Sequence, residues 1–242
     1  MEIFIADTYQ ALSGQAADEV IKLMQPRRHP LLCAASGDTP AGLYKEIVDK
    51  VNKTELDISN WSFVGLDEWV GMNETDEGSC RFNLNDQLFN PLKIAGDKIS
   101  FFDGRANDLD KECEDVESFI QKHEGIDVAI LGLGMNGHIG MNEPGTSPAL
   151  RSHVTALDPV TQKVGQKYFK KEQQLKEGIT LGMATLMESK NIFLLVSGSH
   201  KAEIVKKMLE GEISEELPGS LLRNHSSLKV YLDKNAASLI QP

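Results

Sequence analysis

The sequence predicts an α/β protein whose mostly parallel sheet is covered by helices on both faces. Short β-branched or apolar runs alternate with longer amphipathic stretches along the chain, the pattern of repeated βαβ units. The 242 residues, 40% of them hydrophobic, suffice for one large core and fall short of two. No internal repeat, low-complexity tract or proline-rich linker divides them, so a single domain over 1–242 is expected.

Taken in order, Glu2–Ala6 is the first strand, and Tyr9–Met24 follows with apolar residues at helical spacing. Leu31–Ala35 is a second apolar run, after which Thr39-Pro40 opens a helix over Ala41–Val51. Ser62–Leu66 and Ile99–Phe102 read as strands, Leu109–Lys122 as an amphipathic helix and Val128–Leu133 as a strand. The stretch Asn142–Gln174 is poor in clear elements and is expected to form a lid. Ile192–Val196, a helix over Lys201–Glu210 and a strand at Lys229–Leu232 complete the alternation.

Composition excludes several function classes. With 36 acidic against 25 basic residues, the formal charge of −11 repels nucleic acid and acidic lipid, and the densest basic cluster, Lys167 with Lys170 and Lys171, is short. The longest apolar runs, such as Ile192–Val196, are far below the about 18 residues of a membrane span. The Met-Glu-Ile-Phe-Ile start shows no secretory leader, so a cytoplasmic protein is expected. Cys33, Cys80 and Cys113 have no metal-ligand spacing and an odd count, as reduced thiols do. Nothing marks an interface, which leaves the oligomeric state open.

In open sheets of this kind ligands bind beyond the carboxyl ends of the strands, so the loops there carry the chemistry. The first is Ala35-Ser36-Gly37-Asp38-Thr39-Pro40. Glycine lets the backbone approach a ligand, Ser36 and Thr39 offer hydroxyls, and a helix start offers unpaired N–H groups to a phosphate. A plain turn with Thr39 as N-cap and Pro40 at the first helical position fits equally well. Asp38 must point away from any phosphate or be neutralised. The second loop, Gly65-Leu66-Asp67-Glu68-Trp69, sets two adjacent carboxylates at a strand end with side chains leaving in different directions. One can act as a base made stronger by burial while the other holds geometry; alternatively one caps the loop and the other is solvated.

The third loop runs Gly132-Leu133-Gly134-Met135-Asn136-Gly137-His138-Ile139-Gly140-Met141-Asn142-Glu143-Pro144-Gly145. Its glycines indicate a backbone lying against a ligand, but the third glycine of a dinucleotide fingerprint is misplaced. His138 and Glu143 are spaced so that a carboxylate can orient and charge-stabilise an imidazole. Trp61 and Trp69 read as packing residues, His225 as a turn residue and Cys33 as inert.

Together, SGDTP, GLDEW, GLGMNGHIGMNEPGT and SGSHKA (197–202) resemble the glucosamine-6-phosphate deaminase family over nearly the whole chain, in its short, non-allosteric form. That resemblance implies a modified Rossmann-like three-layer α/β/α sandwich that acts on a hexosamine 6-phosphate without a metal or redox cofactor. Asp67 matches the base that moves a proton between C2 and C1, His138 the group that opens the sugar ring and Glu143 its partner. Lys201 matches a phosphate-binding lysine, in company with Ser36, Gly37, Thr39 and the glycine-loop residue Gly137. The chain departs from the family at three of these places. Asn136 stands where some members carry an aspartate bonded to the histidine, Lys167 where a phosphate-binding arginine is expected, and Asp38 where a glycine is usual. His153 and Thr155 replace a basic pair of the allosteric members. The galactosamine 6-phosphate epimer is the near alternative substrate; a 6-phosphogluconolactonase or a non-catalytic sugar-phosphate sensor are the more distant ones.

Overall fold

The computed structural model of the protein describes residues 1–54 and 56–240. Every expected strand is present. β1 (Glu2–Ala6) leads to α1 (Tyr9–Met24), whose start is capped by Thr8 accepting the Ala11 N–H. β2 (Leu31–Ala34) leads to α2 (Asp38–Thr54), and β3 (Ser62–Gly65) is separated by one residue from β4 (Asp67–Trp69). Then come α3 (Cys80–Leu84), β5 (Ile99–Ser100), α4 (Leu109–Lys122) behind an Asp108 cap, and β6 (Val128–Gly132). β7 (His153–Ala156) precedes α5 (Pro159–Gly165), which has Asp158 as cap and a proline at its first position. β8 (Glu177–Thr180), α6 (Met183–Met187), β9 (Ile192–Val196), α7 (Ala202–Glu210), α8 (Pro218–Leu221) and β10 (Leu228–Asp233) follow.

Seven strands form one sheet in the order β1-β10-β9-β6-β2-β3-β5, and every pairing in it is parallel. Alternate residues of its central strands enter opposite cores, as the pleat requires. Leu31, Cys33, Ala129, Leu131 and Leu194 face the helices α4 and α7, whose Val116, Ile120, Val205 and Met208 cover them. Leu32, Ala34, Val128, Ile130 and Phe193 face α1 and α2, which contribute Leu12, Val20, Leu43 and Ile47. Burial on both faces explains why these strands are continuous apolar runs in the sequence. Among the described residues no helix is long and apolar enough to cross a membrane.

A second, antiparallel sheet of three strands, β4-β8-β7, was not foreseen. The step between the sheets is Leu66, whose N–H donates to Ala34 O (3.1 Å) on the large-sheet side while its carbonyl accepts the Leu181 N–H (2.9 Å) on the other. The stretch 142–174, read as poor in elements, holds β7, α5 and a 3-10 turn. β7 escapes a periodicity search because it is partly exposed and exists through its pairing with β8. The second helix starts at Asp38, three residues before the expected Ala41, and Thr39 lies inside its first turn instead of capping it. Gly37, at φ 111°, reverses the chain early, and the Asp38 carboxylate favours the positive end of the helix.

Candidate active site

A cleft of about 400 Å³ opens at the carboxyl ends of β2, β3, β6 and β9. Ser36, Gly37, Asp38, Thr39, Asp67, His138, Lys167 and Lys201 all line it. Asn136, Gly137 and Glu143 are not among its lining residues. Gly137, at φ 86°, is packed under α8, where a Cβ would lie 2.2 Å from Leu217 and its carbonyl accepts the Gly219 N–H. Its glycine meets the needs of that packing.

The two adjacent carboxylates divide as the strand geometry allows. Asp67, 9% exposed, lines the cleft, and burial pushes its carboxyl up to about 6 against the pull of the Cys80 thiol and His138. Glu68 is fully buried and turned inward, with Oε1 accepting the N–H groups of Trp69 and Cys80 and Oε2 that of Arg81, each at 2.9 Å. Burial pushes Glu68 up to about 7, the three N–H groups pulling the other way. It fastens β4 to the start of α3 and so holds Cys80 against Asp67.

His138 lies flat over Gly134, where a Cβ would come within 2.5 Å of the ring. Its Nδ1 is 3.4 Å from Glu143 Oε2 and 2.9 Å from the Thr161 hydroxyl. Burial would raise the Glu143 carboxyl, but His138, Thr161 and Asn136 hold it below the usual range. Asn136 Nδ2 donates to Glu143 Oε2 (2.9 Å) and its Oδ1 accepts the backbone N–H of His138 (3.2 Å). Asn136 therefore braces the carboxylate and the loop and makes no bond to the imidazole, unlike the aspartate it was compared with.

At the other end, the first turn of α2 faces Lys201. Burial and the nearby Lys167 push Lys201 down to about 8, and its Nζ donates to Leu133 O at 2.5 Å. Lys167 pairs with Asp38 at 2.6 Å, so the two departures found in the sequence neutralise each other across the cleft mouth. Two residues here had no sequence signal. Tyr9, on α1, uses its hydroxyl to donate toward the Asp38 and Thr39 carbonyls and to accept the Gly42 N–H. Asp233, ending β10, accepts from Ser197 Oγ (2.6 Å), Gly198 N and Ala236 N, fixing the turn before Lys201. Only the strand order, which sets β10 beside β9, brings it there.

The cysteines and His225 stand locally as the sequence suggested. Cys33, Cys80 and Cys113 are free and buried, and burial pushes the Cys33 thiol up. His225 is a turn residue: its Nδ1 accepts the Ser227 N–H and its Nε2 lies 2.7 Å from Ser189 O. Trp69 packs edge-on against Phe169 and also lines the cleft. Among the described residues no group of His, Cys, Asp and Glu is arranged to hold a metal ion. The site joins a glycine turn at a helix start and a lysine to a carboxylate and an imidazole, a set that can bind an anionic polar molecule and move protons on it.

A family model described as glucosamine-6-phosphate isomerases/6-phosphogluconolactonase matches residues 6–231. The chain is 38% identical over 237 residues to a glucosamine-6-phosphate deaminase of Oceanobacillus iheyensis, covering 98% of this chain and 95% of that one. It is also 38% identical over 241 residues to glucosamine-6-phosphate deaminase 1 of Bacillus subtilis, covering 99% of each. The solved structure of a monomeric glucosamine-6-phosphate deaminase superposes with a TM-score of 0.96 at 37% identity, over 99% of this chain and 100% of that one. The 6-phosphogluconolactonase of Trypanosoma brucei shares the fold at a TM-score of 0.76 and 19% identity, over 99% and 98%.

Proposed function

Because the chain belongs to the glucosamine-6-phosphate isomerase/6-phosphogluconolactonase family, we propose that it is an enzyme converting glucosamine 6-phosphate to fructose 6-phosphate and ammonia. The observation that carries this is a single cleft lined by a buried, basic-shifted Asp67 and by His138, with the α2 turn and Lys201 at its far end. The turn at Ser36, Gly37 and Thr39, with Lys201, holds the phosphate. His138 takes the O1 proton through Nε2 and returns it to the ring oxygen, which opens the pyranose, while Glu143 steadies the charge on the ring. Asp67 then removes the C2 proton of the open aldehyde and delivers it to C1 by way of an enolamine. Water adds to the resulting C2 imine, ammonia leaves, and a ketone remains. The stretch 142–174 is the cover of this site, since Val160, Thr161, Val164 and Lys167 reach the cleft from it.

Purified protein incubated separately with glucosamine 6-phosphate, galactosamine 6-phosphate and 6-phosphogluconolactone distinguishes the alternatives. Ammonia with fructose 6-phosphate from the first is the expected result. Ammonia from the galacto epimer alone selects that epimer, and lactone hydrolysis without ammonia overturns the proposal.

Two further outcomes concern the phosphate end. Lys201, its ammonium destabilised by burial, loses its charge as the pH rises through about 8, so KM for the phosphorylated sugar should climb above that pH while kcat follows a different curve. In the Asp38→Asn variant the carboxylate no longer competes for Lys167. The pair is exposed and weak, so KM should fall by only about two- to fivefold, checked by steady-state kinetics at low ionic strength.

A further inference from the structure

We propose that Thr161 is a positioning residue for His138, its hydroxyl set beside both the imidazole and Glu143 so that the ring carries its proton on Nδ1 and presents a bare Nε2 to the cleft. The inference rests on the proposed role of His138 and adds a member to that group which neither motif nor resemblance marks. The hydroxyl is the nearer partner of Nδ1, at 2.9 Å against 3.4 Å for the carboxylate. Thr161 is buried and lies 23 residues along the chain from the histidine, on α5. Its hydroxyl ignores the ordinary alternative for a helical threonine, a bond to the carbonyl one turn back; the Leu157 carbonyl instead accepts from the Gln162 side chain.

Donor counting fixes the direction. Glu143 is ionised and can only accept; it also takes the Asn136 amide hydrogen. A hydroxyl has one hydrogen and two lone pairs, so between a carboxylate and a ring nitrogen it donates to the carboxylate and accepts from N–H. Nδ1 therefore bears the ring hydrogen, and Nε2 has no hydrogen-bond partner among the described residues. That is the form a base must take before it receives the sugar's O1 proton.

The position of Thr161 is itself held. Asp158 caps α5 by accepting the Val160 N–H at 2.7 Å, and Pro159 opens its first turn. At the other end Gly165 sits flush against Trp69, where a Cβ would be 2.8 Å from the indole. Trp69 ends the strand that begins with Asp67, so one short helix touches His138 and the strand that carries the carboxylate.

The experiment compares Thr161→Val, which keeps the shape and removes the hydroxyl, with Thr161→Ser, which keeps the hydroxyl. One hydrogen bond of ordinary net strength corresponds to about a tenfold change in rate. Thr161→Val is therefore expected to lower kcat by about tenfold or more with KM nearly unchanged, and Thr161→Ser to restore most of it. In ligand-free protein with ¹⁵N-labelled histidine, the His138 ring should give the Nδ1–H signature in the wild type and in Thr161→Ser, and lose it in Thr161→Val. An unchanged ring signature in Thr161→Val overturns the proposal whether or not kcat falls, and so does a Thr161→Ser protein as impaired as the valine variant. The spectrum needs no substrate, so it stands apart from any failure of the sugar-phosphate assignment.

Discussion

Asp67→Asn is expected to cut kcat by about 10²–10⁴-fold while leaving KM within a few-fold, because it removes the proton acceptor and keeps the shape of the side chain. Stopped assays of ammonia over a range of substrate concentrations separate the two constants. Wild-type turnover would mean that the base has been misassigned. The wild-type enzyme should also lose activity as the pH falls through about 6, where the buried carboxyl takes up its proton. The same burial has a cost in stability whose sign is fixed. The folded state holds this proton up to about pH 6, the unfolded chain only to its ordinary value of 3.8, so stability is greatest below the lower value and declines as the pH rises through the upper one. Asparagine has no such dependence. The variant should melt with the wild type near pH 4 and above it at neutral pH, by up to about 3 kcal/mol. Glu68 is present in both proteins, so its burial cancels from the comparison; only the smaller rise that the Asp67 charge gives it is lost in the variant.

Glu68→Ala should do the reverse, collapsing the fold around the site. Three backbone N–H groups, two of them buried and that of Arg81 part-buried, would lose their carboxylate acceptor, each worth roughly 1–3 kcal/mol. Allowing for relaxation and water entry, a loss of about 3–5 kcal/mol is expected, which for a chain of this size lowers the melting temperature by roughly 10–15 °C. Glu68→Gln should fall between. Its oxygen can serve Trp69 and Cys80 at the Oε1 position, but its amide then meets the Arg81 N–H donor to donor. Thermal melts of the three proteins at one pH test the ordering; an alanine variant as stable as the wild type would show that the three bonds carry little. Neighbours in the chain, Asp67 and Glu68 thus behave oppositely: loss of the first lowers the rate and raises stability at neutral pH, and loss of the second lowers stability.

Physical reasons separate what could be read from the chain alone from what could not. The large sheet was legible because its central strands are buried on both faces, which leaves unbroken apolar runs such as Ile192–Val196. The glycine-flanked His138 stood out because few structural needs produce that pattern, whereas acidic residues at strand ends are common and only the resemblance singled out Asp67 from Glu68. The small sheet was not legible, since β4 is Asp-Glu-Trp and reads as a loop, while β8 includes a glycine. Thr161, Tyr9 and Asp233 were missed for a common cause. Each is an ordinary residue for its element, and its partner lies far along the chain, 23, 29 and 36 residues in the bonds to His138, Asp38 and Ser197. Such contacts follow from strand order and helix docking, which no local window contains. Asn136 and Gly137 show the converse: residues of a functional loop whose side chain or Cα serves the loop's own support.

The one-residue step at Leu66 has a practical consequence for redesign. With its N–H committed to one sheet and its carbonyl to the other, Leu66 allows no slack in the stretch that presents Asp67, and an insertion there would throw every downstream side chain of β4 to the opposite face. A mutant library aimed at new sugar epimers should therefore leave 62–69 untouched and diversify the rim contributed by Val160 and Val164, both exposed valines on α5. Screening would then sample altered substrate shapes on a frame that still folds, with the Asp67 carboxylate kept in register.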